Sequence, residues 1–196
     1  MTGPFGSGKT AIAYYVISKL EKEGYEIIVA SEPEEIVRRF RRNQRQLFLF
    51  DDVFGKYSSN ISDTTDRWKT YCSKINEFLS KSNSVKIVIT CRTHIFLLNE
   101  KFFENFKTDL SFIHKDLISE KIVLNLEERR KIYQSIFKPN PPESISANIL
   151  SLYHFYPVMC SSYNKENLLK YLKHPVETVS AEIADMQTHS DIGYLA

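Results

Sequence analysis

Apolar positions along this chain follow two rhythms. From Thr10 to Leu20, Ala11, Ile12, Tyr15, Val16, Ile17 and Leu20 recur at helical spacing and form one broad face. Gly24 ends the following turn, and Tyr25 to Ala30 (YEIIVA) is a short β-rich run. Ser31 with Glu34 three residues later has the form of a capping box and predicts a helix through Arg42. Leu47 to Phe50 is a continuous apolar run that ends in Asp51-Asp52, the pattern of a buried parallel strand. A loop is expected over Phe54 to Asp63. The next helix, Thr64 to Leu79, carries Trp68, Tyr71, Cys72, Ile75, Phe78 and Leu79 on one face. Val85 to Thr90 (VKIVIT) reads as a strand, Leu97 to Phe106 as a helix, and Ile122 to Leu124 as a last short strand.

The rhythm changes beyond that point. Asn125 and Glu128 can cap a helix running to about Phe137, and Lys138 to Glu143 (KPNPPE) is a proline-broken linker. Helical patterns then cover roughly Ser144 to Tyr153, Pro157 to Tyr163, Glu166 to Leu172 and Val176 to Met186. Strands alternating with helices, followed by helices alone, predict a parallel α/β core over residues 1–124 and an all-helical subdomain over 125–196.

Composition narrows the function classes. With 196 residues, 42% apolar and 26% charged, the chain has the make-up of an ordinary globular protein. A net charge of +2 gives no support for a nucleic-acid partner. No apolar stretch reaches the roughly 18 residues a membrane span needs, so no membrane partner is expected. Three cysteines, at 72, 91 and 160, form no C-x-x-C and suggest neither a disulfide framework nor a zinc site. A reducing, cytoplasmic setting is the expectation.

The candidate chemistry begins at residue 3. Gly3-Pro4-Phe5-Gly6-Ser7-Gly8-Lys9-Thr10 matches G-x-x-x-x-G-K-[ST] in full. Glycines let successive backbone N–H groups turn toward phosphate oxygens, and the helix that follows adds its positive end. Lys9 would reach the β- and γ-phosphates, and Thr10 would offer its hydroxyl to Mg2+. The alternative is a flexible glycine tail, against which the amphipathic helix beginning at Thr10 speaks. Asp51, at the carboxyl end of an apolar strand, would hold the magnesium with its waters, and Asp52 would orient or deprotonate an attacking water. Taken alone, these aspartates would equally suit an ordinary strand-ending turn. The next strand ends Ile89-Thr90-Cys91-Arg92-Thr93, and a polar residue and an arginine at such a strand end can sense the γ-phosphate; Arg92 would stabilise the departing charge, or could be a surface arginine. Cys91 reads as a packed small side chain. Arg38, Arg39, Arg41, Arg42 and Arg45 read as a solvated basic face, and Trp68 as core. His154 near Pro157 fits a packed or solvent-facing histidine better than a nucleotide contact.

Taken in order, GPFGSGKT, FLFDDVFG, the tryptophan of the next helix, IVITCRTHIF, LNLEERRKIY and FYPVMC resemble the STAND class of signal-transducing ATPases with numerous domains. Within it they are most similar to a novel STAND NTPase subfamily of invertebrate type, and the resemblance covers nearly the whole chain. It implies a P-loop NTPase core that binds ATP or ADP with Mg2+ and alternates between a closed ADP state and an open, oligomerising ATP state. Protein partners or self-oligomers through a parent chain follow from the same resemblance. Carried over by position, Lys9 and Thr10 bind phosphate and Mg2+, Asp51 and Asp52 form the second acidic motif, and Arg92 is the sensor. Pro157 resembles the proline of a G-x-P motif that contacts the base, but Phe155 stands where the glycine would be.

A second departure is larger. In this class the glycine loop follows a buried central strand, whereas only Met1 and Thr2 precede Gly3. Five buried apolar residues contribute roughly 8–15 kcal/mol, comparable with the whole stability of a domain, about 5–15 kcal/mol. The expectation is therefore a fragment lacking its first strand, from a truncated gene model or an excised segment. Three functions stay open: a slowly hydrolysing ATP-dependent switch, a small-molecule kinase on the same core, and a non-catalytic interaction module.

Overall fold

The computed structural model describes residues 1–55, 61–82, 84–138, 147–178, 180, 181 and 184. The protein is α/β, with two small parallel sheets among many helices. It divides into two compact units, Met1–Val123 and Leu124–Ala196.

In the first unit the elements run β1 (Thr2–Gly3), α1 (Lys9–Lys22), β2 (Glu26–Val29), α2 (Glu34–Arg39), β3 (Gln46–Phe50), α3 (Ile61–Lys81), β4 (Val85–Ile89), β5 (Cys91–Arg92), α4 (Thr93–Leu98) and α5 (Glu100–Leu110). One sheet has the order β2-β3-β4, the other β1-β5, and every pairing is parallel. β3 is the central strand. Its Leu47, Phe48, Leu49 and Phe50 have no exposed surface, which is why they read as one apolar run. Alternate side chains leave opposite faces. Leu47 and Leu49 meet Ala13 and Ile17 of α1, and Phe48 and Phe50 meet the layer built from α3 and α5. That layer is aromatic: Trp68 lies edge-on to Phe50 at 4.9 Å and to Phe106 at 5.2 Å. Trp68 is core, as its pattern required.

Several boundaries differ from the sequence pattern, each for a local reason. α2 stops at Arg39 rather than Arg42, because Phe40 turns extended and stacks on Phe78 at 4.2 Å. The carboxylate that accepts the Ser31 N–H is that of Glu35, not Glu34, at 2.9 Å. Pro33 takes the cap position, which moves the spacing by one residue. α3 begins at Ile61, inside the expected loop, and Lys56–Asn60 of that loop lie outside the described residues. The helix expected over Leu97 to Phe106 is two helices broken at Asn99, whose Nδ2 donates to the Ile95 carbonyl. Ile122 to Leu124 is not a strand. Ser119 O accepts from both Ile122 N–H and Val123 N–H and closes a turn. The segment paired beside Thr2 is instead Lys115–Leu117.

In the second unit, α6 (Leu126–Phe137) opens with a complete capping box, Asn125 and Glu128 each bonding the other's backbone N–H. α7 (Ala147–Leu152), α8 (Tyr156–Ser162) and α9 (Lys165–Lys173) follow. Residues 175–178 are helical as well. The remainder of the expected last helix, the linker residues 139–143 and the expected helix start at 144–146 fall largely or wholly outside the described residues. Arg129 is buried at 1% exposure, and its guanidinium donates to the carbonyls of Leu124, Leu150 and Tyr153, joining α6 to the end of α7.

Candidate functional site

The glycine turn is built by its own hydrogen bonds. Ser7 N–H and Ser7 Oγ both donate to the Pro4 carbonyl. Gly6 and Gly8 hold φ of 74° and 93°, in the left-handed region that favours glycine. A Cβ on Gly3 would come within 2.5 Å of Ser7 Oγ and 3.4 Å of Lys9 Cγ, so a larger residue there would have to displace the hydroxyl that bonds the Pro4 carbonyl. α1 then starts with no side-chain cap and no acidic residue in its first turn. Its leading amides keep their positive end free for an anion.

Lys9 is 8% exposed and bends back, with Nζ 3.0 Å from both the Gly3 and the Pro4 carbonyl. Burial lowers its pKa from the ordinary lysine value, and the nearby Asp52 carboxylate opposes that shift. Thr10 Oγ1 donates to the Asp51 carboxylate at 3.0 and 3.2 Å, which joins the start of α1 to the end of β3. Asp51 also accepts from Thr90 Oγ1 at 2.6 Å, and the same hydroxyl accepts the Asp52 N–H at 2.8 Å. Asp52 has a φ of 52°. Its carboxylate receives a two-pronged bond from Arg92, Nε and Nη2 each lying 3.1 Å from Oδ2. The Arg92 guanidinium also stands 5.6 Å from the ring of Phe5, itself 66% exposed.

Gly3 to Thr10, Asp51, Asp52 and Arg92 thus share one locality at the carboxyl ends of β1, β3 and β5. Pro157 belongs to the second unit, in the first turn of α8, and His154 is exposed there. Two arrangements were missed in the sequence. Thr90, fully buried, ties the two aspartates together. Its signal was a lone polar residue closing an apolar strand. Thr2 Oγ1 bonds His114 and Asp116 across more than a hundred residues, a separation that leaves no local pattern. Among the basic residues, Arg38 and Arg39 pair with Glu35, and Arg41 with Glu26, on an exposed face.

The donor set suits a hard cation beside an anion. The Thr10 hydroxyl and Asp51 carboxylate are oxygen ligands at an exposed spot, and magnesium takes one or two protein oxygens with waters and phosphate for the rest. Among the described residues, no group of three or more His, Cys, Asp or Glu could hold a metal by itself.

An α/β protein in which a glycine turn, a buried lysine and a strand-end acid pair converge is the class that this geometry defines. The chain belongs to the novel STAND NTPase 3 family, whose model matches residues 1–138. That family is one of nucleotide-binding NTPases. No curated protein matches the chain. Among the described residues no helix is long and apolar enough to cross a membrane.

Proposed function

We propose that this chain is a magnesium-dependent, ATP-binding regulatory module that hydrolyses slowly and acts as a switch within a larger signalling protein. The observation that carries the reading is the 3.0 Å bond between Thr10 Oγ1 and Asp51, which joins the glycine turn to the acid of a neighbouring strand. On this reading Gly3–Thr10 is a P-loop whose backbone N–H groups, with those of the first turn of α1, receive the phosphates. Lys9 exchanges its two carbonyl partners for phosphate oxygens. Thr10 and Asp51 would hold Mg2+, which when bound neutralises charge on the phosphates. Asp52 orients the attacking water, and Arg92 stabilises the charge that develops as the phosphoryl group leaves. Pro157 is proposed as a base contact on the family resemblance alone. Cytoplasmic location and partners through a parent chain belong to the same proposal.

Isothermal titration of the full chain with Mg-ATP and Mg-ADP tests this reading. Saturable binding is expected, lost in Lys9→Ala while circular dichroism stays unchanged. An unaltered affinity in that variant would refute it, and no heat from a folded wild-type sample would favour the interaction-module reading. Phosphate appearing on an added small acceptor rather than in water would favour a kinase.

A further inference from the structure

Phe5 is the one aromatic residue of the glycine turn, and burial does not explain it. Its ring is 66% exposed and belongs to none of the apolar clusters formed by the described residues. An exposed apolar side chain by itself means little. This one has a specific neighbour: the Arg92 guanidinium stands over its ring, 5.6 Å from the ring centre. The backbone that carries the ring is fixed. Three donors converge on the Pro4 carbonyl, in the peptide bond that leads into Phe5: Ser7 N–H at 3.3 Å, Ser7 Oγ at 2.9 Å and Lys9 Nζ at 3.0 Å. The ring is therefore held by the same turn that, on the reading above, receives phosphate.

Arg92 thus has two partners of different kinds, from two different elements. The Asp52 carboxylate, just beyond β3, takes its Nε and Nη2, and the ring of the glycine turn lies across from the guanidinium. The arginine side chain keeps 15% of its surface exposed and that of Asp52 28%, so the cation is the better covered member of the pair. A guanidinium is weakly hydrated and is attracted to the negative face of a ring, so this contact costs it little water. Lys9 shares the same field. Burial chiefly lowers its pKa, the Asp52 charge opposes that shift, and the Arg92 charge adds to it.

We propose that Phe5 is a positioning residue for Arg92: its ring steadies the guanidinium on the Asp52 carboxylate and so tunes how readily a terminal phosphate draws the arginine away. The inference rests on the nucleotide reading above. A triphosphate that recruits Arg92 must displace it from ring and carboxylate together. A diphosphate that leaves Arg92 in place displaces neither. The glycine turn then acts on the preference between the two nucleotides through a side chain, in addition to gripping the phosphates they share through its amides. A cation–ring contact at a partly exposed site shifts an equilibrium by about two- to fivefold.

Two measurements on the full chain test this. Without nucleotide, exchange of the Arg92 Nε–H proton with water is followed by heteronuclear NMR, the signal being assigned by its absence in Arg92→Lys. Exchange should be about two- to fivefold faster in Phe5→Leu and slower in Phe5→Trp, whose ring attracts a cation more strongly. With nucleotide, the ratio of Mg-ATP to Mg-ADP affinity, by titration calorimetry, should rise about two- to fivefold in Phe5→Leu and fall in Phe5→Trp. The ratio is the readout because any change in the turn's grip on the shared phosphates cancels from it. Equal exchange in the wild type and both variants overturns the proposal. So does a ratio that stays constant while both affinities move together, which would make Phe5 a shaper of the turn alone, and so does a ratio that falls in Phe5→Leu. If the wild-type chain binds neither nucleotide, the nucleotide reading fails, while the exchange rates still decide whether Phe5 holds the arginine.

Discussion

Thr90→Val tests whether one hydroxyl organises the acid pair. Valine nearly matches threonine in shape, so the change removes Oγ1 without opening a cavity. Two bonds disappear: the 2.6 Å donation to Asp51 and the 2.8 Å acceptance from Asp52 N–H. The second loss weighs more. Thr90 is fully buried, so the Asp52 amide is left unpaired where water has little access, at a cost of about 1–3 kcal/mol. Asp51 is exposed and can take water in place of the hydroxyl, which discounts the first loss. The expected destabilisation is about 2–3 kcal/mol, or roughly 4–12 °C in melting temperature for a chain of this size. Thr90→Ser retains both bonds and should lose less than about 1 kcal/mol. Urea titration followed by tryptophan fluorescence reads the effect, since Trp68 packs against Phe50, the last residue of β3 and the one directly before the aspartates. If Thr90→Val were as stable as Thr90→Ser, the hydroxyl would be incidental, and the placement of Asp51 and Asp52 would need another cause.

Other outcomes follow from the same geometry. Asp52→Asn weakens the two-pronged hold on Arg92, so Mg-ATP affinity by titration calorimetry should hold or rise while phosphate release falls at least about tenfold. The three cysteines are buried, with Cys91 pushed up to about 12 and Cys72 to about 11, chiefly by burial. None should react with iodoacetamide at pH 8 until the chain is unfolded, as mass spectrometry would show. Both thiols stay protonated in the folded state after the unfolded chain has begun to lose those protons, so stability should fall as pH rises above about 9, measurable by denaturant titration. Asn125→Ala removes half of a capping box and should destabilise the second unit by about 1 kcal/mol in the same assay.

How much could be read in advance followed from how local each signal was. The run at 47–50 became β3 because a strand covered on both faces writes its burial as continuous apolar residues, and the β-rich runs at 25–30 and 85–90 became the partly exposed strands β2 and β4 beside it. The glycine turn was legible because each residue answers a local need of the backbone or of the helix start. The segment on the other flank of β1 from β5 was not, since residues 115–117 carry no alternation and are held by backbone bonds and by Asp116, which receives the Thr2 hydroxyl. Ile122 to Leu124 misled for the opposite reason: three apolar residues suffice for a strand only when a partner edge is present, and here Ser119 takes their amides into a turn. Thr90 escaped the list of site residues because its work lies in bonds to two residues nearly forty positions away.

The electrostatics of the site bear on how a switch could work here. Each cationic group already has oxygen partners: Lys9 the carbonyls of its own turn, Arg92 the carboxylate of Asp52. On the proposed reading, phosphate binding is an exchange rather than a simple addition, so its net gain is the difference between two sets of charge-assisted bonds. The exchanges are unequal. Lys9 gives up neutral carbonyls for charged oxygens and regains the favourable field that burial had weakened. Arg92 gives up a carboxylate and gains little by itself, but in leaving it frees Asp52 to hold a water. A γ-phosphate that draws Arg92 away would therefore release the acid that positions water for its own hydrolysis, whereas a diphosphate held by Lys9 alone would leave the Asp52–Arg92 pair closed. Discrimination between the two nucleotides would then reside in one ion pair between the ends of β3 and β5, where strand geometry holds both partners within 3.1 Å.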